Sequence, residues 1–495
     1  MNRKTTVKKA FSLCLAALLL GSALPAHPAE NTSPPLSLTV SEAVKMAFEH
    51  NRAYAVKKTI TAIRRESEER ALSAFDPVVS GSLSAGRKFT DVATPGSKSS
   101  DTLDAEGKIM KKLETGLVVE GSANASVTDP GTSSVRLGAA VTAPLMQGKG
   151  EEANLYEVRL ARLDADASEY EVRALAESTA SSTIAAYWDY SLAFMELAIV
   201  EESLALAQRG LEETNGRIEA GRLAESERVT AEAEVALRRQ AVIDANSRLE
   251  KAGIDLLRLL NPPSENLFAL KIAPAESKEL PAPPLPPLED GVKDALRRRP
   301  EANQARLDIR RGDLAVAKTR NGLLPKLDLF IRLGKSGYAD SFGEAAGEFF
   351  GESYDASAGV TFSYPLGNRS AKASEKIAFL EKGQAEEALG NLLQLIEADV
   401  RKAHIEAKRL LDQIEATKAS ERLQAEKARS ASERYEVGRA TGYEVALARR
   451  DEMEAHLNTV RASAGYLKAL AELQRLEGAL LNAYEISAPG ETPVE

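Results

Sequence analysis

The sequence predicts a mainly α-helical fold with a membrane β-barrel portion. One unit, helix–strand–strand–long helix–return helix, is laid down twice. Three observations predict it: an internal repeat, long runs of helical periodicity without proline, and short segments that alternate apolar and polar residues.

The repeat is read from matched positions. "SEAVKMAFEHNRAYA" from Ser41 resembles "EDGVKDALRRRPEANQA" from Glu289, pairing Val44 with Val292 and Ala47 with Ala295. At the same spacing Pro77 pairs with Pro325 and Gly86 with Gly334, so one register crosses a helix, a proline and a strand. Further on, Pro144 pairs with Pro365. "RIEAGRLAESE" pairs with "RYEVGRATGYE", setting Gly221 against Gly438 and Glu227 against Glu444. The first repeat is read as 30–275 and the second as 289–484. A proline-rich linker, 276–288, carries "LPAPPLPPL" as an extended strap, and a tail follows from 485 to 495.

Each unit opens on one predicted helix, Thr39–Ala74 and Glu289–Leu323. A far longer helix then runs to a glycine turn, and a return helix spans about Ala224–Leu260 and Thr441–Tyr484. At 1.5 Å per residue, a helix of roughly 70 residues is about 100 Å long and cannot be hidden in a globule. It needs a coiled-coil-like neighbour. Apolar residues at steps of four and three supply the seam: Tyr156, Leu160, Leu163, Ala167 and Tyr170, then Val400, Ala403, Ala407, Leu410 and Ile414.

The strand segments have a period of two. Val79, Leu83 and Ala85 oppose Ser80, Ser82 and Ser84; Leu327, Leu329, Ile331 and Leu333 oppose Asp328 and Arg332. Predicted strands are Val78–Lys88, Ser134–Ala143, Lys326–Lys335 and Asp355–Tyr364, with Thr102–Lys112 and Leu117–Val127 as a further hairpin. Segments of about ten residues with aliphatics on one face suit a tilted membrane strand. A soluble sandwich alternates in the same way. The N-terminus favours the barrel. Basic "MNRKTTVKK" precedes apolar "AFSLCLAALLLGSALPA" and small residues, the pattern of a signal peptide within 1–29, cleaved somewhere between 23 and 29.

That removal takes away the single cysteine, Cys14, and four of the positive charges from a chain of formal net charge -9. A cysteine-free acidic chain has no disulfides and no basic footprint for nucleic acid. The four histidines are scattered, and no phosphate loop or nucleophile elbow occurs. No enzyme activity, metal or cofactor is therefore expected. Four to six strands are also too few to close a membrane barrel alone, since about eight is the usual minimum. Several chains must share one barrel, with Pro144 and Pro365 as its strand-to-helix junctions.

In this order the motifs "SLTVSEAVKMAFEHN", "LLPKLDL", "TAPLMQGKG", "FSYPLGNRSA" and "AYWDYSLA", with the paired glycine turns, resemble the TolC-like outer-membrane efflux channels. The resemblance covers nearly the whole mature chain. It implies a homotrimer: a trimeric α-helical tunnel under a shared twelve-stranded barrel in outer-membrane lipid, with a large periplasmic part. It implies a passive exit duct of a tripartite efflux or type I secretion system. The partners would be a periplasmic adaptor (membrane fusion) protein and an inner-membrane pump of RND or ABC type. Gly221, Arg222, Gly438 and Arg439 then fall at the adaptor-contacting tips, and Tyr435, Glu227 and Glu444 at a pore constriction. The chain departs from the family at Ala440 and Leu447, where the pattern has arginine and an acid, and in its extra hairpin, which either decorates the barrel or enlarges it to six strands per chain. Both glutamates also stand where a helix begins, and acids there favour the helix dipole. The alternative is a coiled-coil structural or adhesive envelope protein without a pore.

Overall fold

The computed structural model describes residues 36–90, 98–129, 131–264, 266–275 and 280–494. The predicted signal segment, 1–29, lies outside them, as do 276–279 of the linker. In chain order the elements are β1 (Leu36–Leu38), α1 (Val40–His50), α2 (Arg52–Leu72), β2 (Val78–Thr90), β3 (Lys98–Lys112), β4 (Val118–Asp129) and β5 (Ser133–Pro144). Then come α3 (Glu151–Asn154), α4 (Tyr156–Glu219), α5 (Ser226–Leu260), β6 (Ile272–Pro274), α6 (Leu288–Arg298) and α7 (Pro300–Gly322). The chain ends with β7 (Lys326–Ala339), α8 (Phe342–Glu348), β8 (Tyr354–Ser363), α9 (Arg369–Glu436), α10 (Gly442–Leu476) and α11 (Leu480–Ala483).

The first helix of each half is two helices, not one. Asn51 leaves the helical region at φ -70° and ψ 115°, closing α1 while its side chain caps α2 by accepting from the Tyr54 N–H at 3.1 Å. In the second half Arg299 breaks the run because Pro300 follows it, and a residue before proline is driven out of the α region. The last return helix is also shorter than expected. It stops at Leu476, and Gly478 at φ +68° turns the chain into α11.

Four helices meet the sheet. Helix α2 leads into β2, β5 leads out to α4, α7 leads into β7, and β8 leads out to α9. They lie side by side, α2 on α4, α4 on α7, α7 on α9. At the far end the neighbours are α5 on α4, α4 on α10, and α10 on α9. The seam from the sequence is present: Val400, Ala407 and Ile414 are fully buried, with Ala403 and Leu410 packed on them. Midway, the core closes over Tyr187, Trp188 and Ile184 of α4 with Val44 and Ala47 of α1. Two tyrosines of "AYWDYSLA" stand three residues apart, on one face of α4. Tyr187 donates to the Leu38 carbonyl (2.9 Å) and Tyr190 to that of Ile272 (2.6 Å). They thereby pin the small parallel β1–β6 pair, which sequence patterns alone do not reveal. In the linker, Tyr466 donates to the Pro283 carbonyl at 2.6 Å.

The larger sheet is antiparallel, in the order β2-β3-β4-β5-β7-β8. Its register puts one kind of residue on each face. The row Val79, Ile109, Gly121, Ala139, Leu333 and Ala356 is apolar throughout, whereas Ser82, Glu106, Asn124 and Arg136 form a polar row on the other face. Helix α8 packs on the apolar face only at its far end, over Gly337; elsewhere the face is uncovered, and Val79, Leu83, Leu137, Leu333, Val360 and Phe362 are all exposed. On the polar face Lys108 pairs with Glu120 (2.8 Å) and Arg136 with Asp355 (2.7 Å). Among the described residues the sheet is open, with β2 and β8 as its edges.

Candidate functional site

The residues singled out at the two glycine turns stand at the ends of α4 and α9, roughly 95–100 Å of helix away from the sheet. Each turn ends its helix in the same way. The N–H of Gly221 donates to Ile218 O (2.8 Å) and that of Arg222 to Arg217 O (2.8 Å). The N–H of Gly438 donates to Tyr435 O (3.0 Å) and that of Arg439 to Arg434 O (2.7 Å). This is the Schellman arrangement, which needs one residue in the left-handed region. Gly221 has φ +68° and Gly438 φ +73°.

A methyl group at either glycine would meet nothing within 4 Å, so only the backbone demands glycine. Gly438→Ala should then cost about 1–2 kcal/mol. Gly438→Asn should recover part of that, because asparagine tolerates the left-handed region. Thermal unfolding of the two variants checks this; equal losses would show that space, not backbone, selects the glycine.

The structure brings the two turns together. The Arg217 guanidinium lies over the Tyr435 ring, 4.8 Å from its centroid. Glu227 reaches the second turn, where a Cβ built on Gly442 would stand 3.0 Å from its Oε2 and 4.0 Å from Tyr435 Cε2. Glu227 and Tyr435 are half-buried; Glu444, Arg222 and Arg439 are exposed. Glu444 serves its own helix. Its backbone N–H donates to Thr441 Oγ1 (3.3 Å) while its carboxylate accepts from the Thr441 N–H (3.2 Å). That is a capping box, which starts α10. Glu227 has no such role, since no side chain caps α5. Among the described residues neither carboxylate has a cation within ion-pairing distance. Arg217 and Gly442 were not singled out by sequence reasoning; a charge-over-ring contact between helices leaves no local signature.

At the other end, Pro144 closes β5 opposite Asp328, and Leu145 beyond it still donates to the Leu327 carbonyl at 2.7 Å. Pro365 follows β8, and its carbonyl accepts from the Asn368 N–H (3.1 Å) in the turn that opens α9. Each proline thus sits where ladder hydrogen bonding gives way to helix. Among the described residues, no helix is long and apolar enough to cross a membrane.

Residues 291–479 match the family model described as outer membrane efflux protein. No curated protein matches the chain by sequence. The fold is that of solved outer-membrane channels. Against the outer-membrane channel OprN the TM-score is 0.66 at 18% identity, covering 89% of this chain and 90% of that one. Against the Campylobacter jejuni CmeC outer membrane channel it is 0.65 at 18% identity, covering 89% and 86%. Against the outer membrane protein VceC from Vibrio cholerae it is 0.64 at 16% identity, covering 89% and 96%.

Proposed function

We propose, from the efflux-protein match at 291–479 and the channel fold around it, that this chain is the exit duct of a tripartite efflux or type I secretion system. Three copies would share one barrel in the outer membrane of a Gram-negative-type envelope, with the helices forming a periplasmic tunnel. A periplasmic adaptor would engage the tips at Gly221, Arg222, Gly438 and Arg439, and an inner-membrane pump would supply the cargo. The duplicated organisation, 30–275 and 289–484 about a 276–288 linker, fits a ring in which each copy contributes two similar halves.

One observation carries the reading: a sheet with one apolar face, uncovered except where α8 lies on its far end, and one charged face, continued by helices about 100 Å long. A water-soluble sandwich would cover the apolar face with a second layer. A coiled-coil strut without a pore would have no use for the sheet. In the proposed tunnel, three copies each of Glu227 and Glu444 ring the axis at the tip. Like charges around a narrow opening favour cations.

Planar-bilayer recordings of the Glu227→Gln/Glu444→Gln double variant test this. Glutamine still completes a capping box, so the helix start survives while the charge goes. The native protein should pass cations in preference to anions, and the variant should lose most of that preference. An unchanged reversal potential would show that neither glutamate sets the selectivity and leave Glu444 with its capping role alone.

A further inference from the structure

The family resemblance implies four strands per chain and twelve in the barrel, but among the described residues the sheet of each chain carries six. The additional pair, β3–β4, is no surface decoration. It lies inside the sheet, hydrogen-bonded to β2 on one side from Val78↔Met110 to Thr90↔Lys98, and to β5 on the other from Val118↔Thr142 to Ser126↔Ser134.

Its base is also built in. Leu113 N–H donates to Leu117 O (2.7 Å), Gly116 N–H to Leu113 O (2.9 Å), and Gly150 N–H to Thr115 O (3.0 Å). Gly116 holds φ +92°, and a methyl there would stand 2.4 Å from Gly148 O. The hairpin is therefore locked onto the junction between β5 and α4.

Six is an even number, so the two edges run in opposite senses. Strand β2 leaves the helical end and β8 returns to it. Neither contains proline, and their charges, Arg87, Lys88 and Asp355, lie at the end away from the helices. Such unprotected edges invite another strand. The edge of one copy can thus meet the opposite edge of the next in the antiparallel sense that runs through the whole sheet.

Width points the same way. Strands about 4.8 Å apart and tilted by about 40° each occupy roughly 6 Å of wall, so six span about 38 Å. The four helices below, at about 9–10 Å each, span roughly 36–40 Å. Four strands would span only about 25 Å and would force a taper.

We propose that three copies of this chain close an eighteen-stranded barrel, pairing β2 of each copy with β8 of its neighbour. The inference rests on the three-copy reading above; the six strands per chain do not. Its consequence is a barrel about one and a half times as wide as a twelve-stranded one, since diameter grows roughly with strand number. Cargo size is then limited at the helical tips and not in the membrane.

Cysteine pairs test it cleanly, because the one native cysteine lies in the predicted signal peptide. Ser82→Cys, which is on the polar face of β2, is combined in turn with Ser357→Cys, Thr361→Cys or Ser363→Cys on the polar face of β8, and with Ala358→Cys or Val360→Cys on its apolar face. Each variant is extracted in detergent, checked for its unheated oligomer band and oxidised. The expected result is a covalent ladder ending at three copies for at least one polar-face pair, and none for the apolar-face pairs. A ladder ending at two copies would mean twelve strands and overturn the proposal. So would trimers that never crosslink at a polar-face pair. A Ser82→Cys/Ala140→Cys variant probes the hairpin itself: a disulfide within one chain would show β2 lying directly on β5, again overturning eighteen strands. If such trimers still conduct ions, the duct reading stands without the wider barrel; a detergent-independent, non-conducting monomer sinks both.

Discussion

Arginine in place of Ala139 should prevent assembly into the membrane, whereas arginine in place of Ala140, the next residue of the same strand, should not. Ala139 is on the apolar face, in the row that runs through Gly121 of β4 and Leu333 of β7. Ala140 is on the charged face, opposite Glu120 and Arg332. A guanidinium facing lipid at the depth of a barrel's midplane costs about 2–4 kcal/mol, and three copies would carry it three times over. The same group facing a water-filled lumen stays hydrated and gains Glu120 as a neighbour. Membrane fractionation and the unheated oligomer band measure both. Equal tolerance of the two substitutions would mean that the apolar face never meets lipid.

The second large effect concerns stability and pH. Glu177 is buried in α4 beside Arg173, with Nε and Oε1 3.5 Å apart, and its Oε1 has no hydrogen-bond partner. Burial pushes its carboxyl up to about 7; Arg173 opposes the shift and Glu301 adds to it. Glu477 is likewise pushed up to about 7, by burial and then by Asp294. Its carboxylate fills the space that Gly291 leaves open on α6.

The sign follows from linkage. A folded-state pKa above the unfolded 4.5 means that the folded chain holds the proton more tightly. Stability from these two sites is greatest below about pH 4.5, falls as pH rises towards 7, and is flat above that. The helical part should therefore melt at a higher temperature at pH 5 than at pH 8. Glu177→Gln should remove much of that slope and stabilise the protein at pH 8, on the order of 1–3 kcal/mol. Glu42, held below its usual range by a hydrogen bond from the Thr39 backbone N–H, acts in the opposite sense and only in more acid solution. A melting temperature for the variant that still falls from pH 5 to pH 8 as steeply as the native one would show Glu177 to be solvated.

What the sequence disclosed, and what it hid, divides along physical lines. Strands and long helices were legible because alternation and the four–three seam are local patterns imposed by burial on one side. The strand starting at Lys326 is where the alternation placed it, and so are the glycine turns at Gly221 and Gly438. The break at Asn51 was missed because asparagine serves both as an end and as a beginning, and the helical pattern continues across it. The β1–β6 pair was missed because three-residue strands have no period to read; they exist because Tyr187 and Tyr190 hold their carbonyls. Sequence order alone does not say whether the Thr102–Val127 hairpin joins a sheet or stands off it. Hydrogen bonding on both of its sides answers that. At the tip, Glu444 was legible as a capping acid from Thr-x-x-Glu, but the approach of Glu227 to Gly442 depends on two helix pairs meeting.

The central claim is that a sheet greasy on one side and wet on the other encloses water only when copies join edge to edge. The mass of the purified protein tests it most directly, by light scattering with the detergent contribution subtracted. The account predicts three times the mature chain mass, and precipitation once detergent is withdrawn. A single-chain mass that persists in detergent-free buffer would contradict it.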